Sequence, residues 1–266
     1  MDTSWLSASV KLPIVNLDRV AATRYVTPLR EGGSLPALVE ADDDGLYVLK
    51  FRGAGQGRRA LVAEVVAGEV ARALGFLVPR LVIAELDPVL GRAEPDPEIQ
   101  DLLVASAGAN LGVDFLPSAL PFSPAAGPAP DAGLAADVVW LDALVTNVDR
   151  TAQNPNLLWW HGRLWLIDHG AALYFHHAPE PDAGHARTPF AASAQHVLLP
   201  YASSIAEADE RLVGRVTPEL LDDVTAAIPD EWLDGDDRRR YVDYLSERLE
   251  SPRAFVEEAE QARERR

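Results

Sequence analysis

A proline-rich segment at residues 117–133 divides this sequence into two parts of different character. The segment carries five prolines among 17 residues, with several alanines, serines and glycines between them. Proline fixes φ and removes a backbone donor, so such a stretch is typical of an extended connector or a surface loop. We therefore predict a first lobe at residues 1–116, a connector at 117–133 and a second lobe at 134–266.

The first part has the pattern of short strands with one main helix. Mixed aromatic and aliphatic runs, bounded by turns rich in glycine or aspartate, predict strands. The predicted strands lie at residues 19–26, 35–41, 46–51, 81–86 and 112–116. An alanine- and valine-rich stretch at 59–74 predicts a helix that ends at Gly75, and residues 97–106 predict a shorter helix.

The second part is predicted to be mostly helical and to contain one hairpin. Residues 134–146 are mostly apolar, which predicts a buried helix. Apolar runs at 157–160 and 164–167 flank His161-Gly162-Arg163, a pattern typical of a hairpin. Further helices are predicted at residues 205–213, 217–227, 237–249 and 252–265. The expected fold class is α+β, with a β-rich first lobe and a mostly helical second lobe.

Charge and composition argue against several classes of function. The chain has 41 acidic and 24 basic residues, and its formal net charge of −17 repels phosphate backbones and anionic lipid. We therefore expect no nucleic-acid partner and no membrane partner. The chain has no cysteine, which excludes disulfides, thiolate nucleophiles and cysteine-based zinc sites. The start of the sequence lacks the pattern of a secretory signal, so the expected location is the cytoplasm.

Lys50 is one of only two lysines in a chain with 22 arginines, and it lies near the end of the predicted strand 46–51. The ordinary interpretation is a strand lysine that faces solvent, since a buried ammonium needs a partner. In a chain that otherwise uses arginine, a lysine favours a site that needs a compact charge for a phosphate oxygen. The next helix offers a partner carboxylate, with Glu64 the better candidate and Glu69 the alternative.

Three polar side chains are expected to meet beside the hairpin. Asp149 and Asn154 lie five residues apart between the apolar helix and the hairpin, and Asp168 follows the hairpin, with Gly170 two places on. Each residue alone is explained by a helix end or a turn, where Asn and Asp are common. Because a tight hairpin brings its two ends together, we expect the three side chains to converge. Oxygen ligands of this kind suit Mg²⁺.

Four histidines follow Gly170 at positions that share no regular spacing. They could form a metal cluster, but the irregular spacing favours ordinary loop positions. These histidines are His176, His177, His185 and His196.

The order of the polar residues along the chain resembles that of a known family. An aspartate with an asparagine five residues later, then a hairpin and then Asp-x-Gly, is the catalytic and metal-binding order of the protein kinase-like fold. Lys50 and Glu64 lie one lobe earlier, where that fold has its strand lysine and helix glutamate. From about residue 20 to residue 175, the sequence resembles the HipA-like kinases. The resemblance implies a two-lobed protein kinase-like fold.

The resemblance also implies a role for each of these residues. Lys50 would hold the α- and β-phosphates of ATP, oriented by Glu64. Asp149 would accept or aim the proton of the attacking hydroxyl. Asn154 and Asp168 would hold Mg²⁺ on the phosphates. Positioning and charge neutralisation of this kind carry most of phosphoryl-transfer catalysis.

Two further groups of residues are implied to contact the nucleotide. The turn that covers the phosphates would be formed by Gly32, Gly33 and Ser34, and the serine is the candidate for autophosphorylation. The adenine would lie near backbone groups of Asp114, Phe115 and Leu116. Because Lys50 lies only 50 residues from the start, the resemblance is to a short form without an extra N-terminal domain, and no antitoxin partner is expected.

The predicted function is ATP- and Mg²⁺-dependent transfer of the γ-phosphoryl group to a hydroxyl. By resemblance, the acceptor is a protein serine or threonine rather than a metabolite. One alternative is a small-molecule kinase of the aminoglycoside or choline type, which shares the same order of polar residues. Another is a regulator that binds nucleotide without catalysis, because the presence of the polar groups is not itself activity.

Overall fold

The first part of the chain folds into a closed β-barrel of five strands. The computed structural model describes residues 15–29, 35–177, 184–233, 235 and 237–266. The strands are β1 (Arg19–Pro28), β2 (Ala37–Ala41), β3 (Leu46–Lys50), β4 (Leu81–Leu86) and β5 (Gly108–Asp114). Around the barrel they follow the order β1-β2-β3-β5-β4, and β1 closes the barrel by pairing in parallel with β4.

Alternation along the strands decides which side chains fill the barrel. In β3, Tyr47 and Leu49 are buried, whereas Leu46, Val48 and Lys50 are only partly buried. Because successive side chains point to opposite faces of a strand, Lys50 projects from the face opposite to Tyr47 and Leu49. This is the face toward the main helix of the first part, whose Glu64 contacts Lys50.

The main helix, α1 (Gly57–Ala73), is buried along most of its length. Every residue from Ala60 to Ala71 is buried, and all except Glu64 and Glu69 are alanine, valine, leucine or glycine, as expected for a helix that packs on all sides. The helix is covered on the side of the second part by α5 (Pro218–Ala226). Gly75, with a φ of +92°, follows α1 in the left-handed conformation that commonly ends a helix.

Strand β5 begins four residues before the predicted start at residue 112, and it ends at Asp114. Gly108 and Asn110 are poor strand formers by themselves, but the segment pairs with β4 over its whole length. The buried Asn110 side chain accepts the backbone N–H of Arg52 and donates to two carbonyl oxygens. Tertiary pairing therefore overrides local preference at this strand.

The proline-rich segment contains a short strand and the start of a helix. Strand β6 (Leu120–Pro121) pairs with the first strand of the hairpin, β7 (Leu157–Trp160). Helix α3 (Ala132–Leu144) begins two residues earlier than predicted, because the Asp131 side chain caps its first turn by accepting the Leu134 N–H. Between α2 (Pro97–Ala105) and α3, the described chain thus has more regular structure than its prolines predict.

The described residues of the second part also form the hairpin and four further α-helices. Strands β7 and β8 (Arg163–Leu166) are joined by His161 and Gly162, both with positive φ, as a two-residue hairpin turn of type I′ requires. The remaining helices are α4 (Ile205–Leu212), α5, α6 (Arg238–Leu249) and α7 (Ala254–Glu264). Each of the helices predicted at 205–213, 217–227, 237–249 and 252–265 is confirmed to within two residues at either end.

The two parts share one hydrophobic core. The larger cluster of buried apolar side chains includes residues of α1, α3 and α5, and a smaller cluster fills the barrel. Trp232, which is fully buried, donates its indole N–H to the carbonyl oxygen of Ala109 in β5 at 3.0 Å. Arg52, beyond the end of β3, pairs with Glu231 at 3.1 Å. Among the described residues, none of the helices has the length and apolar character needed to cross a bilayer.

Candidate active site

Lys50 lies between two carboxylates, one from each part of the chain. Its ammonium donates to the carboxylate of Glu64 on α1 and to Asp168 Oδ1, which lies 2.8 Å from Nζ. Only 14% of the Lys50 side chain and 3% of that of Glu64 are exposed. Burial opposes the positive charge, but the two carboxylates outweigh burial and raise the pKa of Lys50 above its usual value.

The glutamate partner of Lys50 is Glu64 rather than Glu69. Burial acts to raise the pKa of Glu64, yet Lys50 and the nearby His169 outweigh it and lower this pKa below its ordinary value. Glu69 lies further along α1 and pairs with Arg72 at 3.3 Å. Burial raises the pKa of Glu69 above its ordinary value, and Arg72 only partly opposes this.

Asp149 and Asn154 form a second contact, on the loop between α3 and β7. The amide nitrogen of Asn154 donates to Asp149 Oδ2 at 2.6 Å. Because this bond occupies the nitrogen, the oxygen of the Asn154 amide points the other way and can serve as a ligand. Asp149 is half-buried, and Asn154 is exposed. The loop thus presents a carboxylate and an amide oxygen at the surface.

Asn156 connects this loop to Asp168. Its amide nitrogen donates to Asp149 Oδ2 at 3.3 Å and lies 3.5 Å from the carbonyl oxygen of Asp168. Both Asn156 and Asp168 have positive φ, of 49° and 54°, conformations that Asn and Asp adopt more readily than most residues. The structure therefore brings the loop that carries Asp149 beside the residue that contacts Lys50.

Asp168 and Asn154 have the donor chemistry of a site for a hard cation. The Asp168 side chain is half-exposed and offers a carboxylate, and the exposed Asn154 side chain, on the loop that contacts the Asp168 backbone through Asn156, offers an amide oxygen. Oxygen ligands suit Mg²⁺ and similar ions, which bind few protein groups and complete their shell with water and phosphate oxygens. Such an ion, when bound, would neutralise phosphate charge.

Asp114, Phe115 and Leu116 lie where β5 leaves the barrel. Asp114 pairs with Tyr47 in the β3–β5 ladder, and the Phe115 N–H donates to the carbonyl oxygen of Leu46. In the same ladder, Lys50 pairs with Leu111. Three further predicted residues, Gly32, Gly33 and Ser34, lie outside the described residues.

A group of buried polar residues beneath the loop was not predicted from the sequence. We call Asp142, Asn147, Arg150 and His196 the buried cluster. Arg150 Nε donates to Asp142 Oδ2 at 2.5 Å, and His196 Nε2 lies 2.9 Å from the same oxygen. The one available signal was Asp142 itself, an acidic residue inside an otherwise apolar helix, because a buried carboxylate needs partners.

Comparison with known proteins identifies the chain. The HipA-like kinase family matches residues 23–255. Among solved structures, the Helicobacter pylori proinflammatory kinase CtkA is 12% identical with a TM-score of 0.55, and the match covers 95% of this chain and 99% of that one. The Golgi casein kinase with Mn/ADP bound is 14% identical with a TM-score of 0.49, covering 94% and 74% of the two chains. No curated protein matches this chain significantly.

The family match makes this chain a kinase. The chain belongs to the HipA-like kinase family, and the predicted two-lobed protein kinase-like fold is confirmed. Membership makes the protein a phosphotransferase, and it implies ATP with a divalent cation and an acceptor that carries a hydroxyl group.

Proposed function

We propose that this kinase transfers the γ-phosphoryl group of Mg²⁺-bound ATP to a serine or threonine hydroxyl of another protein. The observation that carries the proposal is the position of Lys50 between Glu64 and Asp168, beside the loop that holds Asp149 and Asn154. This arrangement supplies a cation, two oxygen ligands and a carboxylate at one place.

Lys50 is proposed to hold the α- and β-phosphates of the nucleotide. Its contacts with Glu64 and Asp168 keep the side chain extended and charged at neutral pH. Because a lysine is a compact point charge, it can bind a phosphate oxygen without the fixed fork of an arginine. Glu64, nearly fully buried, serves to orient the ammonium.

The register of the barrel supports the proposed orientation of the nucleotide. Along β5, the residue opposite Lys50 is Leu111, and the residue opposite Tyr47 is Asp114. Three strand residues span about 10 Å. The backbone of Asp114, Phe115 and Leu116 therefore lies far enough from Lys50 to receive the adenine while the phosphates reach the ammonium. Gly32, Gly33 and Ser34, as the covering turn, remain part of this proposal.

Asp149 is proposed as the residue that accepts the proton of the acceptor hydroxyl. Its carboxylate is half-buried and is held by Asn154 and Asn156, so its direction is fixed without a neutralising cation. Asn154 Oδ1 and Asp168 are the proposed Mg²⁺ ligands. Asp149, the proposed proton acceptor, is in contact with Asn154, one of the proposed Mg²⁺ ligands. Transfer from a bound phosphate to a nearby hydroxyl requires such closeness.

Phosphate transfer in a cell lysate tests the acceptor class. The kinase is incubated with radiolabelled ATP, Mg²⁺ and a desalted or undesalted lysate, and the products are separated by size. We expect label in proteins, and phosphoserine or phosphothreonine after acid hydrolysis. Asp149→Asn, which keeps the size of the side chain, is the matched control and should give no label above background.

Two results would contradict the proposal. Label confined to small molecules, and lost when the lysate is desalted, would make the protein a small-molecule kinase. Equal labelling by the wild type and by Asp149→Asn would remove the proposed role of that residue.

A further inference from the structure

Arg150 contacts the backbone of both segments that carry the proposed Mg²⁺ ligands. Its side chain is fully buried. One of its terminal nitrogens, Nη1, donates to the carbonyl oxygens of Asn156 and of Ile167, the latter at 3.2 Å. Asn156 lies two residues after Asn154, and Ile167 immediately precedes Asp168. One buried guanidinium therefore fixes the backbone beside both proposed Mg²⁺ ligands.

The direction of Arg150 is set by Asp142 of α3. Arg150 Nε donates to Asp142 Oδ2, and the other carboxylate oxygen accepts the amide of Asn147 at 3.1 Å. Asn147 in turn accepts the backbone N–H of Asp149 at 3.2 Å. Burial acts to raise the pKa of Asp142, but Arg150 and His196 outweigh it and lower this pKa below its usual value. Asp142 is therefore ionised, and it holds Arg150 and, through Asn147, the backbone of Asp149.

His196, which lies on a different segment of the chain, also contacts the Asp142 carboxylate. Its Nδ1 accepts the backbone N–H of Leu198 at 3.0 Å. A neutral histidine with an accepting Nδ1 carries its proton on Nε2, so His196 donates to Asp142 Oδ2 at 2.9 Å. The same segment also contacts the loop through its backbone, because the Val197 N–H donates to the Arg150 carbonyl oxygen at 3.0 Å.

We propose that Asp142 and His196 are positioning residues for phosphoryl transfer, which act by orienting Arg150 and so hold the segments of Asn154 and Asp168 at a fixed separation. The inference rests on the proposed function, in which those two residues bind Mg²⁺. Groups that orient metal ligands from outside the ligand shell commonly change affinity or activity 10–100-fold when altered. Loss of the His196 contact should therefore weaken the response to Mg²⁺ and slow the chemical step.

Two polar substitutions of His196 separate its two ring contacts. In His196→Gln, the amide nitrogen lies near the place of Nε2 and can still donate to Asp142. In His196→Asn, the shorter amide can replace Nδ1 toward Leu198 but cannot reach Asp142. The probe is hydrolysis of ATP with water as acceptor, measured as ADP release over a range of Mg²⁺ concentrations.

We expect His196→Gln to stay within about threefold of the wild type. For His196→Asn we expect kcat to fall about 10-fold to 100-fold and the Mg²⁺ concentration at half-maximal rate to rise, with little change in the KM for ATP at saturating Mg²⁺. His185→Asn, which alters an exposed histidine, is the matched control and should match the wild type.

Equal kcat and equal Mg²⁺ dependence in folded His196→Gln and His196→Asn overturn the inference. If His196→Asn does not fold, Asp142→Asn carries the test, because it keeps the shape of the side chain and removes its charge. Unchanged Mg²⁺ dependence in that variant also overturns the inference. Failure of the proposed function gives a different result: Asp149→Asn and Asp168→Asn would then retain wild-type turnover.

Discussion

Asp149 and Asp168 of the candidate active site carry the same group as Asp142 of the buried cluster, but they differ from it in access to solvent. In the cluster, Arg150 and Asp142 are almost completely buried and bond to partners within the protein. In the candidate active site, half of the Asp168 side chain is exposed, and Asp149 is half-buried. The comparison teaches that a carboxylate used for internal positioning is enclosed, whereas a carboxylate proposed to meet a ligand or substrate stays accessible to solvent.

The comparison also separates stability from activity. Enclosed ions are costly to leave unpaired, since a buried charge cannot regain its hydration. The more accessible carboxylates of the candidate active site contribute little to the free energy of unfolding. We therefore expect variants of the buried cluster to unfold more easily, and variants of Asp149 to stay folded and lose turnover. The predictions below test this division from the largest expected effect to the smallest.

Arg150→Met should give the largest loss of stability. It leaves the Asp142 carboxylate buried without its cation, which typically costs about 3–5 kcal/mol of unfolding free energy. Urea unfolding followed by circular dichroism measures the change. The double variant Asp142→Val with Arg150→Met should be more stable than Arg150→Met alone, because an apolar pair leaves no charge unpaired. A double variant that is less stable would contradict this account.

Asp149→Asn should lower turnover about 100-fold, equivalent to about 3 kcal/mol, because removal of a general base commonly costs at least this much. Its unfolding free energy should change by less than about 0.5 kcal/mol, as for most surface substitutions. ADP release and urea unfolding are measured on the same preparation. A large loss of stability with little loss of turnover would contradict the proposed distinction between the candidate active site and the buried cluster.

Acid should act on the buried cluster through Asp142. Its folded-state pKa lies below its usual value, because Arg150 and His196 outweigh burial, and in the unfolded chain such a carboxyl titrates near pH 4. Its contribution to stability is thus complete above about pH 4 and is lost as the pH falls, by at most about 1.4 kcal/mol per pH unit. Asp142→Asn should therefore flatten the decline in unfolding free energy between about pH 4 and pH 3. An unchanged slope would show that Asp142 is not held ionised by its partners.

Glu231→Gln should have the smallest effect. Glu231 pairs with Arg52 at 3.1 Å, but 44% of the Glu231 side chain is exposed. Exposed ion pairs contribute about 0–1 kcal/mol and weaken with salt. The expected change in unfolding free energy is below about 1 kcal/mol and should disappear at high salt. A larger, salt-independent loss would show that exposure alone does not separate the two kinds of charge.

Much of the fold could be predicted from local sequence patterns. The strand at 81–86 and the hairpin strand at 157–160 are confirmed at their predicted residues, because apolar runs bounded by turn residues specify them locally. The start of β5 at Gly108 could not be predicted, since pairing with β4, over 20 residues earlier in the chain, overrides the weak preference of glycine and asparagine.

The candidate site could be predicted only in part, for a similar reason. Lys50, Asp149 and Asp168 stand out in the sequence because polar groups beside apolar strands and helices need an explanation. The sequence predicts His196 at an ordinary loop position, but it does not predict that this loop places the ring against Asp142, 54 residues away. A contact of that separation depends on the path of the whole intervening chain, which no local pattern specifies.

Helix α5 and Trp232 pack against the first part of the chain, and this packing has a consequence during synthesis. Helix α1, which carries Glu64, ends at Ala73, but it packs against α5, which begins only at Pro218. The carbonyl oxygen of Ala109 in β5 accepts a hydrogen bond from Trp232, which follows α5 in the chain. Such distant contacts form late, because the chain between them must first be ordered. A nascent chain on the ribosome can thus assemble the barrel early, but α1 and β5 gain these contacts only after the chain has been synthesised past Trp232.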